Sequence, residues 1–224
     1  MDKNELLKKY ITSEYLGFSV SNELFSTIIT LGTQVQLFRK ICLNLLEKRD
    51  KIEHKPVIGA NITFSIDYVN NEIEIDRLQR KDVISLSDFC KVLALIDSIY
   101  TPIYPLGSVV ELDESLLPSE IKQLFENSEL GFLVTLHARK VAIEKTNLII
   151  DYVGTIWPLG MLPEVEPIII NNLMIKRIVS SGLSNEYEEK YVSFLRRKQL
   201  LQQQQSYIFS NLELTLKAVK SDEN

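Results

Sequence analysis

The sequence has little of the residue types that build reactive or metal-binding sites. It contains two cysteines, two histidines and one tryptophan among 224 residues. Cys42, His54, Cys90 and His137 lack the close pairing that structural zinc sites show. We therefore predict no metal site. Both cysteines lie in apolar helical patterns, so we expect buried free thiols rather than a disulfide.

Further absences exclude other classes of protein. No apolar run approaches the roughly 20 residues that cross a bilayer, and the N-terminus, Met1 to Glu5, lacks the basic start and apolar core of a signal peptide. No Gly-x-Gly-x-x-Gly or Walker pattern indicates a nucleotide cofactor. The net charge of −5 argues against non-specific nucleic-acid binding. We expect a cytoplasmic protein that binds no cofactor, nucleic acid or membrane.

The patterns that are present predict an α+β fold. Hydrophobic residues make up 45% of the chain and charged residues 25%, as in an ordinary soluble globule. We predict an N-terminal helix–hairpin–helix unit (1–103), a small antiparallel sheet domain with an inserted helix (104–183), and a long C-terminal amphipathic helix with a short tail (184–224). The first boundary follows from Thr101-Pro102 and Tyr104-Pro105, because a residue before proline is disfavoured in the α region.

The N-terminal helix carries a heptad seam. Apolar residues recur at alternating spacings of four and three as far as Leu45, with Ser21 or Asn22 predicted as the N-cap. We expect the cations at Lys48 and Arg49 to lie near the helix C-terminus, and His54 at the helix end. The residues of this seam that we consider as a partner surface, against the alternative of an internal core, are Leu24, Ile28, Leu31, Val35 and Phe38.

A hairpin and a second helix follow. Residues 62–67 and 72–76 alternate between apolar and polar side chains around Asn70-Asn71, which predicts two strands and a tight turn. The exposed face of the hairpin is acidic, through Glu72, Glu74 and Asp76, and is either solvated or bound to a basic partner. Ser85 or Ser87 is predicted to cap the second helix.

The second half reads as five strands and two helices. The strands are predicted at 108–112, 132–136, 148–156, 168–170 and 175–179, with 140–147 as a connection or a frayed continuation of the second strand. Pro118 is placed in the first turn of the inserted helix, which would end near Asn127. The C-terminal helix is predicted to follow Gly182, with Ser184 as its cap. It carries a weaker heptad pattern, interrupted by the glutamines 202–205: Tyr187, Tyr191, Phe194 or Leu195, Leu201, Ile208, Leu212 and Val219.

Catalysis would need a nucleophile beside a base, and the sequence does not supply that pair. The enzyme alternative would use His137 with Asp151 or Glu144. The stronger interpretation is that Tyr152 and Gly154 serve the fold, by packing on the sheet and by allowing a tight backbone approach. We therefore expect a binding protein rather than an enzyme.

Three runs carry a resemblance to a known family. They are Pro105-Leu106-Gly107-Ser108-Val109-Val110-Glu111-Leu112, then the run from Asp151 to Gly160, then the run from Ile168 to Gly182. The acidic, tyrosine-containing stretch from Asn185 to Tyr191 follows the third run. In this order they resemble a small domain family of unknown function from Gram-positive bacteria. Its genes commonly lie beside LXG-type toxins that type VIIb secretion systems export.

The resemblance implies a cytoplasmic chaperone or targeting accessory for an LXG toxin. It also implies the secretion ATPase as a further partner, and a second copy of the chain remains an alternative partner. The other binding hypothesis is an immunity protein that blocks a cognate toxin, with the acidic hairpin face as its tool. The partner surface would be the N-terminal seam or the C-terminal helix face, whose members are Tyr191, Phe194, Leu201, Ile208 and Leu212.

Overall fold

The computed structural model describes residues 2–125, 131–163 and 165–218. The helices are α1 (Lys3–Tyr10), α2 (Ser13–Leu16), α3 (Asn22–Thr33), α4 (Val35–Leu46), α5 (Leu86–Tyr100), α6 (Ser119–Gln123), α7 (Glu186–Leu201) and α8 (Tyr207–Ala218). The strands are β1 (Lys51–His54), β2 (Ile62–Asp67), β3 (Glu72–Arg77), β4 (Arg80–Ser85), β5 (Val109–Leu112), β6 (Leu133–Ala142), β7 (Leu148–Ile156), β8 (Ile168–Ile170), β9 (Ile175–Ser180) and β10 (Gln205–Ser206). The predicted α+β class is confirmed.

The chain divides into two compact units. Unit 1 contains the described residues up to Thr101 together with those from Tyr207 onward, and unit 2 is Pro102–Ser206. α7 therefore belongs to unit 2 and α8 to unit 1. Three predicted features lie outside the described residues: the helix end near Asn127, Val219 and the tail 221–224.

Unit 1 packs helices on one face of a four-stranded antiparallel sheet ordered β1-β2-β3-β4. The predicted hairpin is β2 and β3, and Asn71 takes the left-handed conformation at its turn, with φ 59°. Ser85 caps α5 by accepting a hydrogen bond from the Asp88 amide at 3.0 Å. α5 is buried along almost its whole length, and its Phe89 ring lies 6.0 Å from that of Phe64 on β2.

The predicted N-terminal helix is two helices. Ser21 caps α3 as expected, through the Leu24 amide at 2.9 Å. The helix ends at Thr33, after Gly32, and Gln34 leaves the helical conformation with φ −110° and ψ 83°. Glycine is a poor helix former, and threonine and serine hydroxyls that bond back to helix carbonyls weaken a helix. Four residues of α3 make such bonds: Ser26, Thr27, Thr30 and Thr33.

α4 also ends earlier than predicted. Lys48 adopts φ 55°, its amide bonds the Leu45 carbonyl, and the Arg49 amide bonds the Asn44 carbonyl. These bonds form a Schellman motif with lysine in the left-handed position that glycine usually takes. Lys51 then starts β1, so the placement of His54 at a helix end was wrong: it is the last residue of β1.

Unit 2 is built on a sheet ordered β10-β7-β6-β5-β9, with β8 also paired to β7. β7 has the predicted bounds, whereas β6 runs on to Ala142, beyond the predicted end at Leu136. β8 pairs with β7 and β9 with β5, both antiparallel, while β10 pairs with β7 in parallel. The core of this unit includes Val110, Val134, Leu136, Tyr152, Ile156, Ile168 and Ile170.

The C-terminal helical region is confirmed, divided into α7 and α8. Gln203 takes φ 50°, its amide bonds the Leu200 carbonyl, and the Gln204 amide bonds the Gln199 carbonyl. This is a second Schellman ending made without glycine. The predicted cap at Ser184 was wrong by one residue: the Asn185 side chain accepts hydrogen bonds from the Tyr187 and Glu188 amides, each at 3.0 Å.

Candidate functional site

One face of α7 exposes aromatic and aliphatic side chains to solvent. The exposed fractions are 81% for Tyr187, 51% for Tyr191, 52% for Phe194 and 71% for Leu201. The Tyr191 and Phe194 rings stack, with centroids 6.0 Å apart and planes 24° from parallel. We call Tyr187, Tyr191, Phe194 and Leu201 the α7 stripe. Large apolar side chains grouped on one surface are typical of protein-binding sites.

Arg139 of β6 attaches the start of α7 to the sheet. Its two terminal nitrogens donate to the two carboxylate oxygens of Glu188, one of them at 2.8 Å, and its guanidinium carbon lies 5.4 Å from the centre of the Tyr191 ring. The Arg139 side chain is only 5% exposed. The hydrogen bonds from Arg139 hold the pKa of Glu188 below its ordinary value. The arrangement fixes the helix that carries the α7 stripe.

Tyr152 connects β7 to the segment that enters unit 2. Its hydroxyl accepts a hydrogen bond from the Tyr104 amide at 2.9 Å and lies 3.2 Å from the Pro102 carbonyl. Arg139 donates to the Tyr104 carbonyl at 2.9 Å. The Tyr152 side chain is fully buried, so this residue packs in the fold as the sequence suggested.

Asp151 joins four separate segments of unit 2. Its carboxylate accepts hydrogen bonds from the Lys140 ammonium at 2.8 Å, the Asn172 backbone amide at 3.1 Å and the Ser206 hydroxyl at 2.8 Å. The side chains of Lys140 and Asp151 are 5% and 1% exposed. A buried carboxylate needs such donors to offset its lost hydration. These contacts link β7 to β6, to the turn after β8 and to β10.

His137 occupies a bulge in β6. Leu136 pairs with Gly154 and Ala138 with Val153, so His137 is the extra residue between them. Its Nε2 lies 2.7 Å from the buried Thr155 hydroxyl oxygen. Asp151, the base partner considered for the enzyme alternative, is instead engaged by Lys140, Asn172 and Ser206.

Ser108 and Gly182 connect the start of β5 to the end of β9. The Ser108 hydroxyl donates to the Pro105 carbonyl at 2.7 Å and accepts from the Gly182 amide at 3.0 Å. A Cβ added at Gly182 would lie 2.1 Å from the Leu106 carbonyl oxygen, so only glycine fits. The Pro-Leu-Gly-Ser run and Gly182 thus serve one structural contact.

The structure divides the predicted partner residues into exposed and buried groups. Tyr191, Phe194 and Leu201 are exposed on α7. Leu212 of α8 is 2% exposed, Ile208 is partly buried, and α8 packs against α4 and α5 within unit 1. In the N-terminal seam Val35 is exposed, while the remaining members lie in the core: Leu24, Ile28, Leu31 and Phe38.

The sequence placed Glu188 at the positive end of the C-terminal helix but did not predict its pairing with Arg139. The two residues are 49 positions apart, and their pairing depends on how α7 returns to β6. The available signal was an arginine within a strand, since a buried guanidinium requires an acidic partner.

Comparison with known families identifies the central part of unit 2. Residues 125–191 match the family described as Domain of unknown function (DUF4176). The DUF4176 segment covers β6 to β9 and ends in α7 at Tyr191, so it contains Arg139, Asp151, Gly182 and Glu188. The resemblance to a domain of unknown function is confirmed to this extent. No curated protein and no solved structure matches the chain.

The described residues contain neither a candidate metal cluster nor a candidate membrane span. Within residues 2–125, 131–163 and 165–218, no group of three His, Cys, Asp or Glu side chains is arranged to hold a metal ion. Over the same residues, no helix combines the length and apolar character of a membrane span.

Proposed function

We propose that this protein binds an LXG toxin of a type VIIb secretion system in the cytoplasm and holds it until export. The observation that carries the proposal is the α7 stripe, a row of exposed apolar side chains on a helix fixed by Arg139 and Glu188. The DUF4176 segment supports it, because two of the three runs that carry the resemblance to a toxin-associated family lie within residues 125–191.

In this function the α7 stripe covers an apolar surface of the toxin. Each large apolar side chain that leaves water on binding contributes about 1.5–3 kcal/mol before the costs of association. A protein that binds the export-competent state of a client stabilises that state by mass action. The covered toxin surface is thereby kept from aggregation until the secretion ATPase receives the complex.

The test is co-expression and pull-down with the LXG toxin encoded beside this gene. Phe194→Asp with Leu201→Asp should abolish toxin recovery, because the charges oppose desolvation of the stripe. The thermal midpoint should stay unchanged, since the two side chains are 52% and 71% exposed. Val57→Asp with Ile58→Asp is the matched control, because these residues are 103% and 91% exposed in a loop of unit 1. Undiminished toxin recovery by the α7 variant would contradict the proposal.

A second candidate function is that of an immunity protein. An open groove of about 480 Å³ on unit 1 is lined by four acidic residues, Asp50, Asp67, Glu72 and Glu74, and by Lys51. Part of this charge is already matched, since Lys81 bonds Glu74 at 2.9 Å. The remaining acidic character suits a basic toxin surface through electrostatic complementarity.

Protection of a sensitised cell separates the two functions. An immunity protein protects a cell that makes active toxin, whereas a chaperone raises toxin export without protection. Glu72→Lys with Asp76→Lys should then remove protection if the acidic face is the inhibitory surface. If the Glu72→Lys, Asp76→Lys variant still protects the cell and Tyr191→Asp does not, the acidic face is not the surface that inhibits the toxin.

A further inference from the structure

Cations accompany the α7 stripe along its length. Lys190, Arg197 and Lys198 are exposed, and the Lys190 ammonium lies 5.8 Å from the centre of the Tyr187 ring. At about 100° of rotation per helical residue, all three project within roughly 60° of the direction of Phe194, as the stripe does. Glu188 points away to Arg139, and Glu189 lies on the far side of the helix by the same geometry. Glu186, at the first position of α7, is exposed and projects about 80° from Phe194, but the three cations outnumber it. The exposed face is therefore apolar with a net positive charge.

This charge pattern disfavours a second copy of α7 as the occupant. In a parallel pair, Lys190 and Lys198 would each meet their own counterparts. In an antiparallel pair centred on Phe194, Lys190 of one chain would meet Lys198 of the other. Like charges placed beside each other along helices are destabilising. Both ways of self-pairing bring lysines together on the apolar seam.

The spacing of the stripe indicates the shape of the occupant. Its members are separated by four, three and seven residues, which is the heptad spacing that receives another helix by knobs-into-holes packing. The backbone amides and carbonyls of α7 are used within the helix, so an extended strand would find no edge to join. From Tyr187 to Leu201 the seam is about 21 Å long, which a partner helix of about four turns would cover.

We propose that the α7 stripe binds an amphipathic helix of about 15 residues whose apolar side is bordered by aspartate or glutamate. The inference rests on the proposed function and specifies the client segment by its chemistry. The apolar side of the client helix packs on Tyr191 and Phe194. Its carboxylates pair with Lys190, Arg197 and Lys198, which sets its orientation and speeds its association.

The test uses the full chain and two synthetic helical peptides of 18 residues. Both carry the same leucine heptad seam, bordered in one peptide by glutamate and in the other by lysine. Fluorescence anisotropy at low salt should give at least tenfold tighter binding of the glutamate peptide, and added salt should reduce this difference. Lys190→Glu with Lys198→Glu should reverse the preference. Lys8→Glu with Lys145→Glu, an equal charge change at exposed sites outside α7, should preserve it.

The outcomes separate this inference from the proposed function. Toxin recovery together with equal binding of the two peptides, or with binding of neither, overturns the acidic-helix inference and leaves the chaperone function standing. Preference for the glutamate peptide without toxin recovery supports the docking site and rejects the LXG toxin as the client. Sedimentation of a dimer that Tyr191→Asp dissociates would also overturn the inference, because a second copy would then occupy the stripe.

Discussion

Arg139 and Glu188 bind each other through both terminal nitrogens of the guanidinium and both oxygens of the carboxylate. Their side chains are 5% and 17% exposed, so the pair lies largely out of water. Bidentate pairs of this kind fix geometry as well as contributing energy. The direction of α7 at its N-terminus therefore depends on this contact.

Glu188→Gln should destabilise unit 2. The substitution leaves the buried Arg139 charge without its counter-ion, and breaking a buried pair in this way costs on the order of 3 kcal/mol. Urea unfolding at neutral pH measures the loss. Glu189→Gln, at the exposed neighbouring position, should change stability by less than about 0.5 kcal/mol. Equal stability of the Glu188 variant and the wild type would show that α7 is attached by other contacts.

The same pair predicts a dependence of stability on pH. Arg139 holds the folded-state pKa of Glu188 below the ordinary value of 4.5. The unfolded chain therefore takes up the proton first as the pH falls. The contribution of the pair is fully present above about pH 5, declines below 4.5 and is lost once the pH passes the folded-state pKa. The difference in unfolding free energy between wild type and Glu188→Gln should narrow over this range. A constant difference from neutral pH down to about pH 3 would contradict the assignment.

Asp151→Asn should destabilise unit 2 by about 3–5 kcal/mol, because Lys140 would keep its buried charge without a partner. Thermal unfolding followed by circular dichroism measures this effect. Glu144→Gln, at an exposed position, provides the control. If Asp151→Asn unfolded at the same temperature as the wild type, the structural role assigned to Asp151 would be wrong.

Gly182→Ala should be poorly tolerated although the backbone there is not in the left-handed region. The added Cβ would lie 2.1 Å from the Leu106 carbonyl oxygen, so the strand ends must separate. We expect a loss of about 1–3 kcal/mol, as for other overpacked sites. Ser181→Ala, at the exposed preceding residue, should have little effect. A normal thermal midpoint in Gly182→Ala would indicate that the Leu106 segment shifts at low cost.

Leu212→Asp and Phe194→Asp should give opposite results. Leu212 is 2% exposed and Phe194 is 52% exposed. A charge at the buried site should cost several kcal/mol and unfold unit 1, whereas the exposed site should tolerate one. The melting curves of the two variants provide the measurement. A stable, folded Leu212→Asp protein would show that Leu212 is not required in the core, and α8 would again be a candidate partner surface.

The sequence predicts the elements that carry a clear apolar pattern or a clear capping residue. β7, the β2–β3 hairpin and the Ser85 cap of α5 all follow the prediction. β4 was missed because its charged sequence buries few side chains and forms an edge of the sheet. Periodicity reports burial, so an edge strand with little burial gives no signal.

The helix ends were missed for a different reason. After α4 and α7, Lys48 and Gln203 adopt left-handed conformations, at a position that glycine or asparagine usually occupies. Lysine and glutamine are good helix formers, so local propensity predicted continuation. The candidate site was predicted in part: the heptad pattern included Tyr191, Phe194 and Leu201. It could not separate them from Leu212, because burial of that residue depends on the packing of α8 in unit 1.

The path of the chain through the two units bears on biosynthesis. Unit 2 is inserted between α5 and α8 of unit 1, so the ribosome makes all of unit 2 before it makes the last helix of unit 1. Unit 2 can fold as one uninterrupted stretch, whereas residues 2–101 must wait for α8 to cover α4 and α5. Unit 1 therefore completes its core last, although its first residues leave the ribosome first.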